Sequence, residues 1–162
     1  FAAGVRNALR RKPHAILVGE SRDAATIIAL LEAALTGHPV YTTLHTNGVS
    51  ETIRRLVGSF PQAEQYSRTI DILETMRLII WQKLVPSVDG TRVALREYLA
   101  FNETIRDELL ECDAAQLTSK IRQLLRKHGQ PMIVDVNKKY DEGLISQRTH
   151  QLLSRGLKKL DP

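Results

Sequence analysis

Lysine never follows glycine in this chain. None of its nine glycines opens a Gly-x-x-x-x-Gly-Lys-Ser/Thr run. The nest of backbone N–H groups and the lysine that hold a nucleotide's β- and γ-phosphates are therefore not encoded in these residues. Cysteine is nearly missing too. Cys112 stands alone, which excludes an internal disulfide and fits a reducing compartment. Aromatic residues make up 5% of the chain, too few for a platform on which single-stranded nucleic acid would stack. No apolar run approaches the roughly 18 residues of a membrane helix, and the longest candidate is broken by Glu32, Thr36 and Gly37. Neither an internal repeat nor a low-complexity tract is present. Position 1 is Phe rather than Met, and "FAAGVRNALRRKP" has the character of a helix interior, not of a signal peptide. The sequence thus reads as a piece cut from something longer.

What remains is ordinary for a globular domain. Of 162 residues, 43% are hydrophobic and 25% charged, enough for one core with at most a small appendage. The net charge of +5 permits an acidic partner without demanding one. The basic runs Arg10-Arg11-Lys12, Arg126-Lys127-His128, Lys138-Lys139 and Lys158-Lys159 are scattered, as solvated helix faces would be. A nucleic-acid partner is not expected.

The N-terminal two-thirds alternates strand and helix. Residues 1–12 have a helical period, and Pro13 ends it. Ala15–Val18 is a continuous apolar run too short for a helix, which predicts a strand buried on both faces. Ser21 or Asp23 is placed to cap the next helix, whose apolar stripe runs through Ile27, Ile28, Leu30, Leu31, Ala34 and Leu35. Gly37 closes it. "PVYTTLH" then reads as a second strand. Strand, helix and strand within about 30 residues make a right-handed βαβ crossover with parallel strands. "SETIRRLVGSF" follows as a short helix with Ser50 as a candidate cap, and "PQAEQYSRTIDILETM" as another. "RLIIWQKLVPS" and "TRVALREYLAF", joined at "VDG", read as a hairpin with Trp81 in its core face. From Asn102 the chain turns all-helical, at about 103–111, 114–128, 131–142 and 146–158, punctuated by Gly129, Gly143 and Gly156. The expected division is an α/β portion over 1–101 and a helical portion over 102–162.

Ligands of parallel α/β sheets sit beyond the carboxyl ends of the strands. Glu20 and His45 occupy those two ends. A carboxylate there can orient or deprotonate a water that attacks a phosphate. It reads equally as a surface acid paired with Arg22. His45 is accompanied by Thr42, Thr43, Thr46 and Asn47, whose hydroxyl and amide groups can reach phosphate or water. A metal site joining His38 and His45 lacks a cysteine or second carboxylate at ligand spacing, so no direct metal ligand is assigned.

Together these stretches carry a resemblance. "AILVGESRD" resembles the Walker B stretch of the type II/type IV secretion and pilus-retraction ATPases, and "ALTGHPVYTTLHTNG" their His box. Glu20 and His45 stand 25 positions apart, which fits that family. "RVALREYLAFNETIRDELLE" and "YDEGLISQRTHQLL" resemble its later hairpin and closing helices. "GHPVYTTLHTNGVSETIRRL" leans toward the type IVB secretion and conjugative-plasmid branch. The resemblance implies the C-terminal half of a RecA-like P-loop ATPase core followed by a helical appendage. It implies a homo-oligomeric ring, a hexamer, acting on ATP with Mg²⁺ in the cytoplasm at the bacterial inner membrane, against secretion-apparatus proteins. Glu20 would be the catalytic carboxylate and His45 a γ-phosphate sensor. Gly19, where many P-loop enzymes carry an aspartate on Mg²⁺, would leave the metal to other ligands. Thr43 and Thr46 would flank the nucleotide. Arg22 and Asp23 match the motif's second pair, although Asp23 serves equally as a helix cap. Arg54 and Arg55 would contact a neighbouring subunit or lie free on the surface. The phosphate loop and an acidic box, both missing here, are expected upstream, so these residues alone should not turn over ATP. A parallel sheet cut along one side should also expose an edge that invites self-association. Two other readings stay open: a non-catalytic docking module of a secretion complex that binds through its helices, and a DNA-handling RecA-like motor.

Overall fold

The computed structural model describes residues 1–158. In chain order the elements are α1 (Ala2–Leu9), β1 (Ile16–Val18), α2 (Ala24–Leu35), β2 (Val40–Thr42), α3 (Val49–Val57), α4 (Gln62–Thr75), β3 (Leu78–Pro86), β4 (Arg92–Ala100), α5 (Glu103–Leu110), α6 (Leu117–His128), α7 (Met132–Asp141) and α8 (Gln147–Lys158). A single 3-10 turn, Ala114–Gln116, leads into α6. The mixed α/β class and the trailing helices follow the expected order. Of the expected 102–162 helical portion and the Lys158-Lys159 run, the residues from Lys159 on lie outside those described.

β1 and β2 pair in parallel, with Ile16 opposite Val40, Leu17 opposite Tyr41 and Val18 opposite Thr42. They are joined by α2, which packs against α1 and the sheet. Ile16, Val18, Val5, Ala29, Leu30 and Ala33 make the small core beneath. The expectation that β1 is buried on both faces is wrong. Leu17 is 77% exposed and its neighbour Tyr41 60%. The helices α1 and α2 cover one face only, and no described element lies over the other.

β3 and β4, nine residues each, form an antiparallel hairpin that does not pair with β1 and β2. Its turn is set by Gly90, at φ +83°, with the Ser87 amide donating to Thr91 O at 3.0 Å. The inner face of the hairpin joins two cores. The larger gathers Ile27 and Leu31 of α2, Val49, Ile53 and Leu56 of α3, Ile72 and Leu73 of α4, and Leu99 of β4. Ile79 of β3, Ile105 and Leu109 of α5 and Ile121, Leu124 and Leu125 of α6 extend it. The smaller joins Val85 and Leu95 to Met132, Val136 and Ile145. Trp81 is half-buried and touches both. In α3 the buried positions 49, 53 and 56 recur at helical spacing, and each such side chain contributes about 1.5–3 kcal/mol on leaving water.

Three boundaries differ from the sequence-based expectation. α1 stops at Leu9, and Arg11 and Lys12 close a turn onto Ala8 O and Leu9 O before Pro13. β2 stops at Thr42, so His45 lies in a loop past the strand rather than on it. Ser50 does not cap α3. The cap is Gly48, and Ser50 is buried one position inside the helix.

Candidate functional site

The tips of the parallel strands are tied beyond their formal ends. The Ser21 amide donates to Thr43 O at 3.1 Å, which extends the ladder one step past Thr42. The Thr43 hydroxyl donates back to Gly19 O, and the Ser21 and Thr42 hydroxyls meet at 2.7 Å. Glu20 therefore sits between two residues whose backbones are fixed to the neighbouring strand. Gly19 itself has open space where a Cβ would stand, so neither crowding nor a positive φ demands glycine there.

The side chains of Glu20 and His45 meet. His45 Nε2 lies 3.4 Å from Glu20 Oε1, while Arg22 Nη2 lies 2.6 Å from Glu20 Oε2. Glu20 is the sheltered member, its side chain 21% exposed against 86% for His45 and 75% for Arg22. The hydrogen bond from Arg22 holds the Glu20 carboxyl below the usual carboxylate range. Partial desolvation opposes this, and the charges of Arg22, His45 and Arg55 reinforce it. The same bond pushes the Arg22 guanidinium up. Glu20 is thus an ionised carboxylate at neutral pH with both oxygens engaged.

Asp23 is occupied locally. It is the N-cap of α2, with Oδ1 accepting the Thr26 amide at 2.8 Å and Oδ2 the Thr26 hydroxyl at 2.9 Å. Those bonds, led by the Thr26 backbone N–H, hold its carboxyl below the ordinary value.

The loop after β2 is anchored from α3. The Thr46 and Thr52 hydroxyls lie 3.1 Å apart, and Thr52, itself buried, donates to Gly48 O at 3.0 Å. His45, Thr46, Asn47, Glu51, Arg54 and Arg55 line an open depression of about 330 Å³ beside Glu20. Arg54 and Arg55 are exposed in it, on the outward side of α3. His38 is at the opposite end of β2, bound through Nδ1 to the Thr36 hydroxyl at 3.2 Å, away from His45.

Two contributors escape a linear reading: Ser21 and Thr52. Ser21 has a signal as a polar residue inside the Gly-Glu-x-Arg-Asp run. Thr52 has none, because its partners are set by packing.

The residues present fit one end of a nucleoside triphosphate. Hydroxyls, an imidazole and two guanidinium groups around an open depression suit phosphate oxygens. No group of three or more His, Cys, Asp or Glu side chains that could hold a metal occurs among the described residues. A divalent ion would lean on phosphate and water, since the only acid lining the depression among the described residues is Glu51 and Glu20 already engages both its oxygens. No helix of the described residues is long and apolar enough to cross a membrane.

Comparison with known proteins agrees with the resemblance. The family model described as type II/IV secretion system protein matches residues 1–151. The crystal structure of the Legionella pneumophila ATPase DotB superposes with a TM-score of 0.93 at 64% identity, covering 96% of this chain and 42% of that one. The pilus retraction motor PilT, solved with bound ADP, superposes at 0.81 with 38% identity, covering 92% of this chain and 42% of that one. The type IV pilus retraction ATPase PilT of Pseudomonas aeruginosa is 40% identical over 122 residues, 75% of this chain and 36% of its own length. The chain spans less than half of each of these relatives.

Proposed function

This chain belongs to the type II/IV secretion system protein family, and from that premise we propose that it forms the water-activating half of a secretion or pilus-motor ATPase core. The observation that carries the proposal is the meeting of Glu20 and His45 at the carboxyl ends of two parallel strands, 3.4 Å apart and beside an open depression with basic lining. The first 101 residues hold this half-site, and the described residues after it, up to Lys158, form the helices α5 to α8. A phosphate-binding loop must come from outside these residues.

Each side chain has a distinct task. Glu20 orients the attacking water and accepts its proton; such general-base help is worth about 10²- to 10⁴-fold in rate. Both its oxygens are engaged, so one contact yields first. Arg22, mostly in solvent, is the partner that can swing away toward a phosphate oxygen. His45 stands on the anchored loop, where its Nε2 can pass from Glu20 Oε1 to a terminal phosphate. Thr43 and Thr46 fix the strand tip and the loop. Gly19 adds no ligand of its own. Arg54 and Arg55 face outward and suit a neighbouring subunit in a ring, the hexamer expected for this family. Asp23 acts as the cap of α2. Bound Mg²⁺ would neutralise the developing charge on the transferred phosphoryl group. The assembly would work in the cytoplasm against inner-membrane components of the apparatus it powers. The similarity to DotB favours type IV secretion over pilus retraction as the process served.

The test is ATP turnover and nucleotide binding by the intact protein carrying Glu20→Gln or His45→Ala. Glu20→Gln should lose roughly 10²- to 10⁴-fold in turnover while still binding nucleotide. Undiminished turnover would remove Glu20 from the chemistry. The 162 residues alone should show no hydrolysis above a Glu20→Gln control.

A further inference from the structure

Glu97 lies outside the site and yet touches its support. It stands in the middle of β4 on the inner face of the hairpin, opposite Trp81. Its Oε1 accepts the amide of Val49, the first residue of α3, at 2.8 Å. Its Oε2 accepts the amide of Met132, the first residue of α7, at 3.3 Å. Two helices therefore begin on one carboxylate. Neither has a cap of its own, because the N-cap residues are Gly48 and Pro131, which offer no side-chain acceptor. A negative charge at two helix N-termini is favoured twice by the helix dipoles. The close approach also constrains Gly48. At φ +152° a Cβ there would stand 3.3 Å from Glu97 Oε1.

What each helix carries gives the contact its meaning. α3 starts directly after the His45–Gly48 loop. α7 is bolted to the same stretch of β4. Tyr98 and Gln130 exchange backbone bonds of 3.0 and 2.9 Å, the Gln130 side chain donates to Arg96 O at 3.0 Å, and the Arg96 amide donates to Asp135 Oδ2 at 2.7 Å. A shift of α7 must break the Met132 bond or carry Val49 with it.

We propose that Glu97 is a positioning residue that links the His45 loop to the C-terminal helices, by holding the starts of α3 and α7 on its two oxygens. That the loop serves a nucleotide rests on the function proposed above. The mechanical link does not.

Hydrogen exchange of the intact protein tests the link, read in peptides covering residues 46–52 and 130–136. Glu97→Ala removes both acceptors, and exchange should quicken about tenfold or more in both peptides, as for lost hydrogen bonds to a charged group. Glu97→Gln keeps one acceptor oxygen and should loosen one peptide much more than the other. Gln130→Ala leaves Glu97 in place. It should loosen 130–136 and, through Glu97, 46–52, and the second effect should vanish in the Glu97→Ala background. A purely structural role would instead speed exchange evenly across α5 and α6. Unchanged exchange at 46–52 in all three variants would overturn the proposal, whatever happens to turnover. A parent protein without ATP turnover would refute the function proposed above and leave the exchange result standing. With turnover present, the variants at Glu97 should lower kcat for ATP and leave KM nearly unchanged.

Discussion

Replacing Thr52 by valine removes one hydroxyl from under the His45 loop and little else. The shape is nearly conserved, so the effect reports on hydrogen bonding. In the structure the Thr52 hydroxyl donates to Gly48 O at 3.0 Å and accepts from Thr46 at 3.1 Å. Two neutral bonds of this kind are worth about 1 kcal/mol each. The added methyl in a buried position returns part of that, so Thr52→Val should cost about 1–2 kcal/mol. Thr46→Val removes only the shared bond. Thr46 is half-exposed and water can take over, so it should cost about 0.5–1 kcal/mol. Once one hydroxyl is gone the other has less to lose. The double variant should therefore fall short of the sum by about 0.5–1 kcal/mol. Urea unfolding followed through Trp81 fluorescence measures all four corners of the cycle. Additivity within about 0.3 kcal/mol would show that the two hydroxyls do not bond and that the loop is held in some other way.

Two further outcomes are expected. Arg106 donates to Met76 O at 3.2 and 3.4 Å and to Phe101 O at 2.7 Å, tying the end of α4 to the start of α5. Arg106→Met should lower the unfolding midpoint by the equivalent of about 1–3 kcal/mol, and Arg106→Lys should not restore it, because the fork is lost. For Asp23, whose carboxyl is held below its unfolded value by the Thr26 bonds, the contribution to stability is complete above the unfolded carboxyl pKa. It disappears as pH falls through the folded value. The difference in melting temperature between parent and Asp23→Ala should be full at pH 7 and shrink below about pH 4. Asp23→Asn should retain the cap and most of the pH 7 stability.

Much of the fold was legible because it is local. The turn at Gly37, at φ +89°, the hairpin around Gly90 and the cap Asp23 each act within a few residues of where they stand. The βαβ order by itself puts Glu20 and His45 at one end of a parallel pair. What escaped is what depends on distant partners. The acceptor that starts α3 comes from 48 positions away, so nothing near Ser50 announces that Ser50 is not the cap. Leu17 looked buried because an unbroken apolar run carries no alternation, yet its face is uncovered among the described residues. "YTTLH" has uniform strand character past Thr42, whereas the formal strand ends there and the Ser21–Thr43 backbone bond carries the pairing one step further. The engagement of both Glu20 oxygens was half visible, in Arg22 two residues on, and half a matter of where the loop folds.

The knotting of the two strand tips divides control at the site unequally. Thr43 grips the residue before Glu20 and the residue after it, so the acid is set like a stone in masonry, free to turn only about its own side-chain bonds. The imidazole rides on the loop from His45 to Gly48, which Thr52 ties down at Thr46 and at Gly48. Of the three partners in this contact the imidazole and the guanidinium carry the exposed side chains, so any change in it begins with them and not with the acid.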